Sequence, residues 1–314
     1  MNILYLVVPC YNEEEVIPET AVQLCAKLSS MIEKGICSKE SKILFIDDGS
    51  TDQTWSLIVN LYKSNELICG LRLSNNCGHQ NALLAGLITV KDFADCVISL
   101  DADLQDDIEV LDQFLDKYHK GCEIVFGVRK KREADTFFKR ITALIFYKLM
   151  KALGANIVYN HADYRLMSKK AVDALAEYQE VNLFLRGIIP LIGFKSDIVY
   201  YDRNPRFAGK TKYPFRKMMS FAMDGITSFS VRPLKLISNL GIFISCLSIF
   251  ALIYALALKL YGASVPGWFG TVVSIWLIGG IQLFCLGVLA EYIGKIFKEV
   301  KQRPRFFIDV FLKK

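Results

Sequence analysis

Two long stretches without any charged residue, Leu236–Leu258 and Trp268–Ala290, constrain this chain more than any other feature of its sequence. Each is about 23 residues long, so as an α-helix it would extend roughly 35 Å, enough to cross the hydrocarbon core of a bilayer with some tilt. Two such stretches in succession are difficult to bury inside one small domain. We therefore predict a transmembrane helical hairpin in preference to a pair of buried core helices.

Basic residues concentrate on the two outer sides of this hairpin. The connection Lys259–Gly267 is short and holds a single Lys. The outer flanks hold Arg232, Lys235, Lys295, Lys298, Lys301, Arg303 and Arg305. The positive-inside bias then places both flanks in the cytoplasm. We expect a multi-pass protein of the cell (inner or plasma) membrane, with its N-terminal domain, its C-terminal tail at 291–314 and both termini cytoplasmic.

The segment 214–235, just before the hairpin, carries apolar side chains at helical spacing. These side chains are Phe215, Met218, Met219, Ala222, Met223, Ile226 and Phe229. In isolation such a stripe is more typical of core packing, but here it lies between a basic loop and a transmembrane stretch. We therefore expect a juxtamembrane amphipathic helix that lies in the membrane interface.

Short apolar runs alternate with amphipathic segments through the first 130 residues. The apolar runs are Ile3–Val8, Ile43–Ile46, Ile68–Leu73, Cys96–Leu100 and Ile124–Val128. The helix-like segments between them are Glu14–Ile32, Thr54–Lys63, Gln80–Val90 and Ile108–Lys120. This alternation predicts an α/β domain, at residues 1–213, built on a doubly wound, Rossmann-like, mostly parallel sheet. Its ligands should bind beyond the carboxyl ends of the strands.

Acidic residues follow two of these predicted strands. Asp47 and Asp48 end the second strand, and Asp101 and Asp103 follow the fourth. Four carboxylates at one edge of a sheet repel one another unless a cation or a hydrogen-bonding ligand lies among them. A lone D-x-D is a weak signal, but the nearby Gln105 supplies another oxygen. We predict a Mg²⁺ or Mn²⁺ site formed by Asp101, Asp103 and Gln105 and completed by diphosphate oxygens and water.

Cysteine usage and charge exclude several classes of protein. The nine cysteines are scattered without a C-x-x-C pair, and the chain has three histidines, which favours free thiols over disulfides or a zinc site. The net charge is +6, with basic residues grouped around the apolar C-terminal region. This placement suits an anionic membrane surface or phosphate ligands, and no nucleic-acid-reading motif is present, so we expect no nucleic-acid partner.

Three motifs at the predicted strand ends resemble the signature set of glycosyltransferase family 2, which has the GT-A fold. They are Val8–Glu14, Asp47–Asp52 and Asp101–Gln105. Further motifs resemble the subgroup that acts on polyprenyl phosphates, which includes bactoprenol glucosyltransferases and dolichol-phosphate mannose synthases. These motifs are Gly127–Arg129, Asp163–Met167, Asn182–Gly187, Arg206–Tyr213, Gly225–Phe229 and Gly287–Gly294. Small departures occur at Cys10, Ala290 and Cys77–His79, none of them in the D-x-D.

The resemblance assigns residues to a nucleotide-sugar donor. Pro9, Tyr11 and Glu13 should line the nucleotide pocket. Asp47 and Asp48 should contact the base or ribose, in an order that the sequence leaves open. By the same resemblance the ribose-side carboxylate is Asp101, the metal ligand is Asp103, and Gln105 is close to metal and diphosphate.

A second group of residues is assigned by the resemblance to the lipid acceptor. Asp163 should act as a general base or as an acceptor-positioning carboxylate, unless it merely pairs with Arg165. Arg129 and Arg140 should bind the acceptor phosphate, although Arg140 could instead be a solvated or membrane-facing charge. A basic loop containing Arg206, Lys210 and Lys212 should close over the site, although the two lysines could instead bind lipid headgroups.

The implied reaction is a metal-dependent, inverting transfer of a hexose to a polyprenyl phosphate, with UDP-glucose and undecaprenyl phosphate as the foremost pair. UDP-N-acetylglucosamine, UDP-galactose and GDP-mannose remain open as donors. A non-catalytic nucleotide-sensing protein is disfavoured by the intact D-x-D, and a processive synthase by the two spans and the absence of Q-x-x-R-W. The resemblance also implies a homo-oligomer, a tetramer, for which Gly279, Gly280 and Gly287 offer small-residue helix surfaces.

Overall fold

The structure, a computed structural model, describes residues 1–130, 161–181, 185–202, 232–260 and 267–314. The chain divides into two compact units. The sheet unit contains the described residues from 1 to 202 together with Gln302–Lys314, and the helical unit contains the described residues from 232 to 301. Of the predicted interfacial helix at 214–235, residues 214–231 lie outside the described residues.

The sheet unit is built on one mixed sheet of eight strands. In chain order they are β1 Leu4–Cys10, β2 Lys42–Asp47, β3 Ile68–Leu73, β4 Cys96–Ser99, β5 Ile124–Arg129, β6 His161–Ser168, β7 Ser196–Tyr201 and β8 Ile308–Leu312. Their order across the sheet is β7-β5-β6-β4-β1-β2-β3-β8. Within this sheet β6 runs antiparallel to β4 and β5, and β8 antiparallel to β3, while the other strand pairs are parallel. The predicted α/β, GT-A-like fold class is confirmed.

Helices cover this sheet. They are α1 Ile17–Glu33, α2 Thr54–Ser64, α3 His79–Val90, a 3₁₀ turn at Ile108–Val110, α4 Leu111–His119, α5 Lys169–Ala176 and α6 Leu185–Leu191. The helical spacing of apolar residues determines which side of each helix is buried. In α1, for example, Leu24, Leu28 and Met31 form one buried apolar stripe, and a proline in the first turn favours the start of the helix. All seven residues of β1 are buried, as expected of a central strand covered on both faces.

The last strand, β8, lies in the segment 291–314, which we predicted to be only a C-terminal tail. It pairs antiparallel with β3, and the amide of Ser74 donates a hydrogen bond of 3.0 Å to the carbonyl of Phe307. This strand was not predicted, because its partner lies more than 200 residues earlier in the chain. The chain therefore returns to the sheet unit after the helical unit.

The helical unit consists of α7 Arg232–Leu260 and α8 Trp268–Lys301, which contact each other. Large apolar side chains on both helices are exposed, for example Phe250 at 70%, Trp276 at 79% and Leu283 at 72%. Such exposure does not fit a helix in a soluble core. Within the described residues, Ser274–Lys301 is long and apolar enough to cross a membrane, with a mean hydropathy of 1.7.

Candidate active site

The predicted site residues that the structure describes gather at one edge of the sheet because parallel strands end there together. Cys10 pairs with Asp47 at the carboxyl ends of β1 and β2. Ser99, the last residue of β4, pairs with Arg165 of the antiparallel β6, so Asp163 lies beyond it at the same edge. Ser99 also fixes this arrangement, since its hydroxyl donates to the carbonyl of Asp163 at 2.5 Å. We call this edge the rim.

The D-x-D turn follows β4 and is held by the backbone and by α1. The buried hydroxyl of Thr20 donates to the carbonyl of Ala102 at 2.7 Å. Leu104 adopts a left-handed φ of 54°, and the amide of Gln105 donates to Oδ1 of Asp103 at 3.2 Å. A left-handed non-glycine residue is strained, which indicates that this turn is imposed by its surroundings. The carboxylates of Asp101 and Asp103 are thus set on the rim by a defined loop.

The side chain of Asp101 is 37% exposed and faces a histidine that the sequence had not assigned to the site. Nε2 of His79, the first residue of α3, lies 3.7 Å from Oδ1 of Asp101 and 3.5 Å from Oδ2 of Asp163. Desolvation lowers the pKa of His79, but the two carboxylates outweigh it and the net shift is upward. Desolvation at the rim, with Asp163 and Asp103, raises the pKa of Asp101 against the opposing charge of His79.

Asp163 is enclosed by cationic side chains. Its carboxylate forms an ion pair with the buried Arg165 on the same strand. Arg186 of α6 donates to it twice, from Nε to Oδ1 at 3.3 Å and from Nη2 to Oδ2 at 2.9 Å. Burial would raise the pKa of Asp163, but Arg186, His79 and Arg165 hold it well below the ordinary value. The ion pair with Arg165, which the sequence left open as the alternative to a role at the acceptor, is present, and the second partner, Arg186, was missed.

Another buried group connects the D-x-D loop to β5 and β7. The hydroxyl of Tyr201 donates to Oδ1 of Asp106 at 2.6 Å and accepts from Nε of Arg129 at 3.2 Å. Nη2 of Arg129 lies 3.6 Å from the same carboxylate oxygen. Burial, with the nearby charge of Asp101, raises the pKa of Asp106 to about 6. Arg129 therefore lies on the same rim as the carboxylates.

Two carboxylates at the end of β2 support neighbouring loops at the rim. Asp48 accepts from the amides of Cys77 and Gly78 at 2.8 and 3.0 Å, which fixes the start of α3. Asp47 is fully buried and accepts from the amide of Ser50 at 3.1 Å. Gly49 has φ of 65°, and a Cβ there would lie 2.6 Å from the backbone of Asn75, so only glycine fits.

The other residues predicted for the nucleotide pocket follow or end β1. Pro9 is buried within the strand, while Tyr11 is 38% exposed and Glu13 half-buried. The amide of Glu13 donates to the hydroxyl of Thr54 at 2.9 Å, which joins this loop to α2. Their role in nucleotide binding stays a prediction.

The oxygen atoms at the rim are suitable ligands for a hard divalent cation that a diphosphate also coordinates. Asp101, Asp103 and Gln105 offer only oxygen ligands if the amide of Gln105 presents its carbonyl, and Mg²⁺ is commonly held by one or two carboxylates plus substrate phosphates. Within the described parts of the chain, no group of three or more His, Cys, Asp or Glu side chains could hold a metal ion by itself. That a diphosphate and water supply the remaining ligands stays a prediction.

Four predicted acceptor-side residues, Arg140, Arg206, Lys210 and Lys212, lie outside the described residues. The functional neighbours that the sequence did not single out are His79, Asp106, Arg186 and Tyr201. Arg186 lies inside a motif that carried the resemblance, and Asp106 follows the D-x-D directly, so each had a local signal. His79 and Tyr201 had none, because their partners are far away in the sequence.

Comparisons with known proteins agree with this geometry. The profile of glycosyl transferase family 2 matches residues 5–176, and that of the GtrB C-terminal hairpin matches residues 232–296. Glycosyltransferase YkoT of Bacillus subtilis is 56% identical over 310 residues, 99% of this chain and 92% of that protein. Bactoprenol glucosyl transferase of Shigella phage SfX is 39% identical over 305 residues, 96% of this chain and 97% of that protein.

One similar solved structure is the mannosyltransferase PcManGT from Pyrobaculum calidifontis in complex with GDP-Man and Mn²⁺. The match includes 96% of this chain and 88% of that chain, with 16% sequence identity and a TM-score of 0.44. The assignment does not depend on that distant likeness. The family profile covers more than half of the chain, and relatives match nearly its whole length. The protein therefore belongs to glycosyl transferase family 2 and is a glycosyltransferase.

Proposed function

We propose that this glycosyltransferase transfers a hexose, glucose from UDP-glucose in the first place, to undecaprenyl phosphate or a similar polyprenyl phosphate at the cytoplasmic membrane face. The observation that carries the proposal is the closeness of Arg129 to the D-x-D loop, with 3.6 Å between Nη2 and the carboxylate of Asp106. A guanidinium that can bind one phosphate thus lies beside carboxylates suited to a cation and a diphosphate. Relatives named bactoprenol glucosyl transferase, about 40% identical over nearly the whole chain, support the same pair of substrates.

On the donor side, Pro9, Tyr11, Glu13, Asp47 and Asp48 hold the nucleoside. Asp101, Asp103 and Gln105 hold the divalent cation and so position the diphosphate. When bound, Mg²⁺ or Mn²⁺ supplies positive charge that stabilises the departing nucleoside diphosphate.

On the acceptor side, Arg129 neutralises and orients the lipid phosphate, assisted by Arg140, Arg206, Lys210 and Lys212. A phosphate monoester has a second pKa of about 6, so its oxygen is already largely anionic at neutral pH. A strong base is therefore not required. The lowered pKa of Asp163 makes it a poor proton acceptor, so we assign it the positioning role through Arg186.

The reaction is a single displacement at the anomeric carbon. A lipid phosphate oxygen forms the new bond to that carbon while the bond to the diphosphate oxygen breaks, and the bonding electron pair leaves on the nucleoside diphosphate. Inversion converts an α-linked donor into a β-linked product. The product supplies a lipid-linked sugar for modification of a cell-envelope glycan.

The helical unit anchors the enzyme where its acceptor is found. We propose that α7 and α8 cross the membrane at 236–258 and 268–290, with the segment 214–235 in the interface and residues 1–213 and 291–314 in the cytoplasm. Confinement to the membrane surface raises the effective concentration of the lipid phosphate at the site. We also propose a homo-oligomer, a tetramer, in the membrane.

The test is incubation of the detergent-purified full-length protein with Mn²⁺, undecaprenyl phosphate and, in parallel, labelled UDP-glucose, UDP-N-acetylglucosamine, UDP-galactose or GDP-mannose. Lipid-extractable label from UDP-glucose is the expected result, and it should vanish when the lipid phosphate is omitted. Label from another donor alone would replace the sugar in the proposal. Well-folded protein that labels the lipid with none of the four would refute it.

A further inference from the structure

Tyr201 is the side chain that joins Arg129 to the loop of the D-x-D. It is 1% exposed and lies opposite Arg129 in the parallel pairing of β5 and β7. Its hydroxyl is used in both directions, since it donates to Oδ1 of Asp106 at 2.6 Å and accepts from Nε of Arg129 at 3.2 Å. The Tyr201 phenol thus connects Arg129, which the proposed function assigns to the lipid phosphate, with the D-x-D loop, which it assigns to the nucleotide-sugar.

The ring of Tyr201 has little freedom to move. It packs edge-on against Tyr164, with 5.2 Å between ring centroids, and a Cβ added at Gly127 would lie 3.2 Å from its Cε1. The carbonyl of Tyr201 also accepts from the amide of Lys130 at 2.9 Å, which pairs the ends of β5 and β7. The hydroxyl is therefore presented to Arg129 from a fixed position.

Anchoring at Nε determines how Arg129 can meet a phosphate. The guanidinium is planar, with its N–H donors in a fixed fork, so a hydrogen bond at Nε sets the plane and direction of the remaining donors. Asp106 completes the anchor, because its Oδ1 receives the hydroxyl of Tyr201 and lies 3.6 Å from Nη2 of Arg129. Oδ2 of Asp106 is buried and has no hydrogen-bond partner in the described part of the chain. Within that part, Asp106 therefore forms its side-chain hydrogen bond through Oδ1, to Tyr201.

We propose that Tyr201 is a positioning residue that orients Arg129 toward the acceptor phosphate and fixes its distance from the D-x-D loop. This inference rests on the proposed function, because it assigns Arg129 to the acceptor. Tyr201 itself does not touch the reacting atoms. Its effect should therefore appear in the use of the lipid phosphate and leave donor binding unchanged.

The chain offers a matched control in Tyr164. It is also buried, packs against the same ring, and donates one hydrogen bond of 2.9 Å, to the carbonyl of Asp107, yet it does not hold Arg129. Tyr201→Phe and Tyr164→Phe each remove one buried hydroxyl from this core. Steady-state rates would be measured for both, with undecaprenyl phosphate and UDP-glucose varied in turn, beside thermal unfolding in detergent.

Tyr201→Phe is expected to raise the KM for undecaprenyl phosphate about tenfold over that of Tyr164→Phe, the size of a lost hydrogen bond to a charged group. The KM for UDP-glucose should agree between the two variants. Arg129→Lys, which keeps the charge without Nε, should give a similar rise, and adding Tyr201→Phe to it should have little further effect.

Three results would overturn the inference. Equal KM values for the lipid phosphate in Tyr201→Phe and Tyr164→Phe, with an active wild-type enzyme, would refute it alone. If Tyr201→Phe does not fold, Arg129→Lys decides, and an unchanged KM for the lipid phosphate in that variant would be equally contrary. A wild-type enzyme that never labels the lipid would instead refute the proposed function and this inference with it.

Discussion

Two acidic groups on the same rim are built in opposite ways. In the Asp163 cluster, one carboxylate is surrounded by Arg165, Arg186 and His79, and its pKa is held well below the ordinary value. In the loop cluster, Asp101, Asp103 and Asp106 follow one another closely, and the pKa values of Asp101 and Asp106 are raised. The first cluster is neutralised from within the protein, whereas the second brings three carboxylates close together, so that burial and neighbouring negative charge raise the pKa values of Asp101 and Asp106, although His79 lies near Asp101 and Arg129 near Asp106.

This difference separates structural charge from ligand-binding charge. A buried ion pair whose partners are all protein groups contributes to the fold, and removing one partner leaves the other uncompensated. The charged forms of carboxylates that repel one another are stabilised by a cation bound among them. The loop cluster should thus matter most for turnover, and the Asp163 cluster should matter for stability as well.

The largest expected effect is that of Asp103→Ala on catalysis. If the loop cluster holds the cation, metal-dependent turnover should fall at least about 100-fold, as when a main electrostatic contact of a transition state is removed. Folding should be intact, because the change relieves repulsion. Lipid-extractable label at saturating Mn²⁺ measures the activity. Asp92→Ala, at a 71% exposed side chain beyond α3, is the control, and turnover near wild type in Asp103→Ala would reject the metal site.

The next effect is the loss of stability in Asp163→Asn. Arg165 is 1% exposed, and without the carboxylate it is a buried unpaired charge, so we expect a loss of about 3–5 kcal/mol. Asp103→Asn should cost much less in metal-free protein, since it removes a charge that repels Asp101 and Asp106. Thermal unfolding of both variants in detergent with a chelator measures the difference. Equal losses would erase the distinction between the clusters.

The pH dependence of that loss sharpens the comparison. The folded pKa of Asp163 lies below its unfolded value of about 3.9, so its ionised form stabilises the fold at higher pH, and this stabilisation disappears as the pH falls through the folded value. The stability gap between wild type and Asp163→Asn should therefore shrink below about pH 4 and be constant from about pH 5 to 6. Above about pH 6.5 the gap should narrow again, because Asp163 raises the pKa of His79 and that stabilisation is lost as the imidazole deprotonates. A gap that instead falls as the pH rises from about 4 to 6 would indicate that Asp163 has a raised pKa, as a tuned general base would.

The sequence predicted best what is local in the chain. The apolar runs of β1 to β5 and the periodic helices between them agree with the structure to within a few residues, because burial on both faces and helical periodicity are read from neighbouring positions. Asp101 and Asp103 were found for the same reason, since strand ends meet at one edge. The antiparallel β6 and β8 were not predicted, because their partners are chosen by tertiary pairing.

The missed parts of the site share this cause. Tyr201 lies 95 residues from Asp106 and 72 from Arg129, and a tyrosine in a strand normally indicates packing only. His79 follows a glycine loop held by Asp48, and no local pattern shows that α3 would begin against Asp163. Sequence patterns thus located the carboxylates, whereas the groups that neutralise or orient them required the three-dimensional arrangement.

The smallest effect is expected at Asp309 of β8, a carboxylate near the surface that lies close to Arg72. Arg72 lies 3.7 Å from Asp47 and 4.0 Å from Asp309 of β8, and the side chains of Arg72 and Asp309 are 39% and 52% exposed. Exposed ion pairs contribute about 0–1 kcal/mol because water screens them, so Asp309→Asn should change thermal stability by less than about 1 kcal/mol. Thermal unfolding in detergent, measured as for Asp163→Asn, allows the two losses of stability to be compared directly. A loss as large as that of Asp163→Asn would show that burial does not set the contribution of these carboxylates, and the contrast between the two clusters would then need a different physical cause.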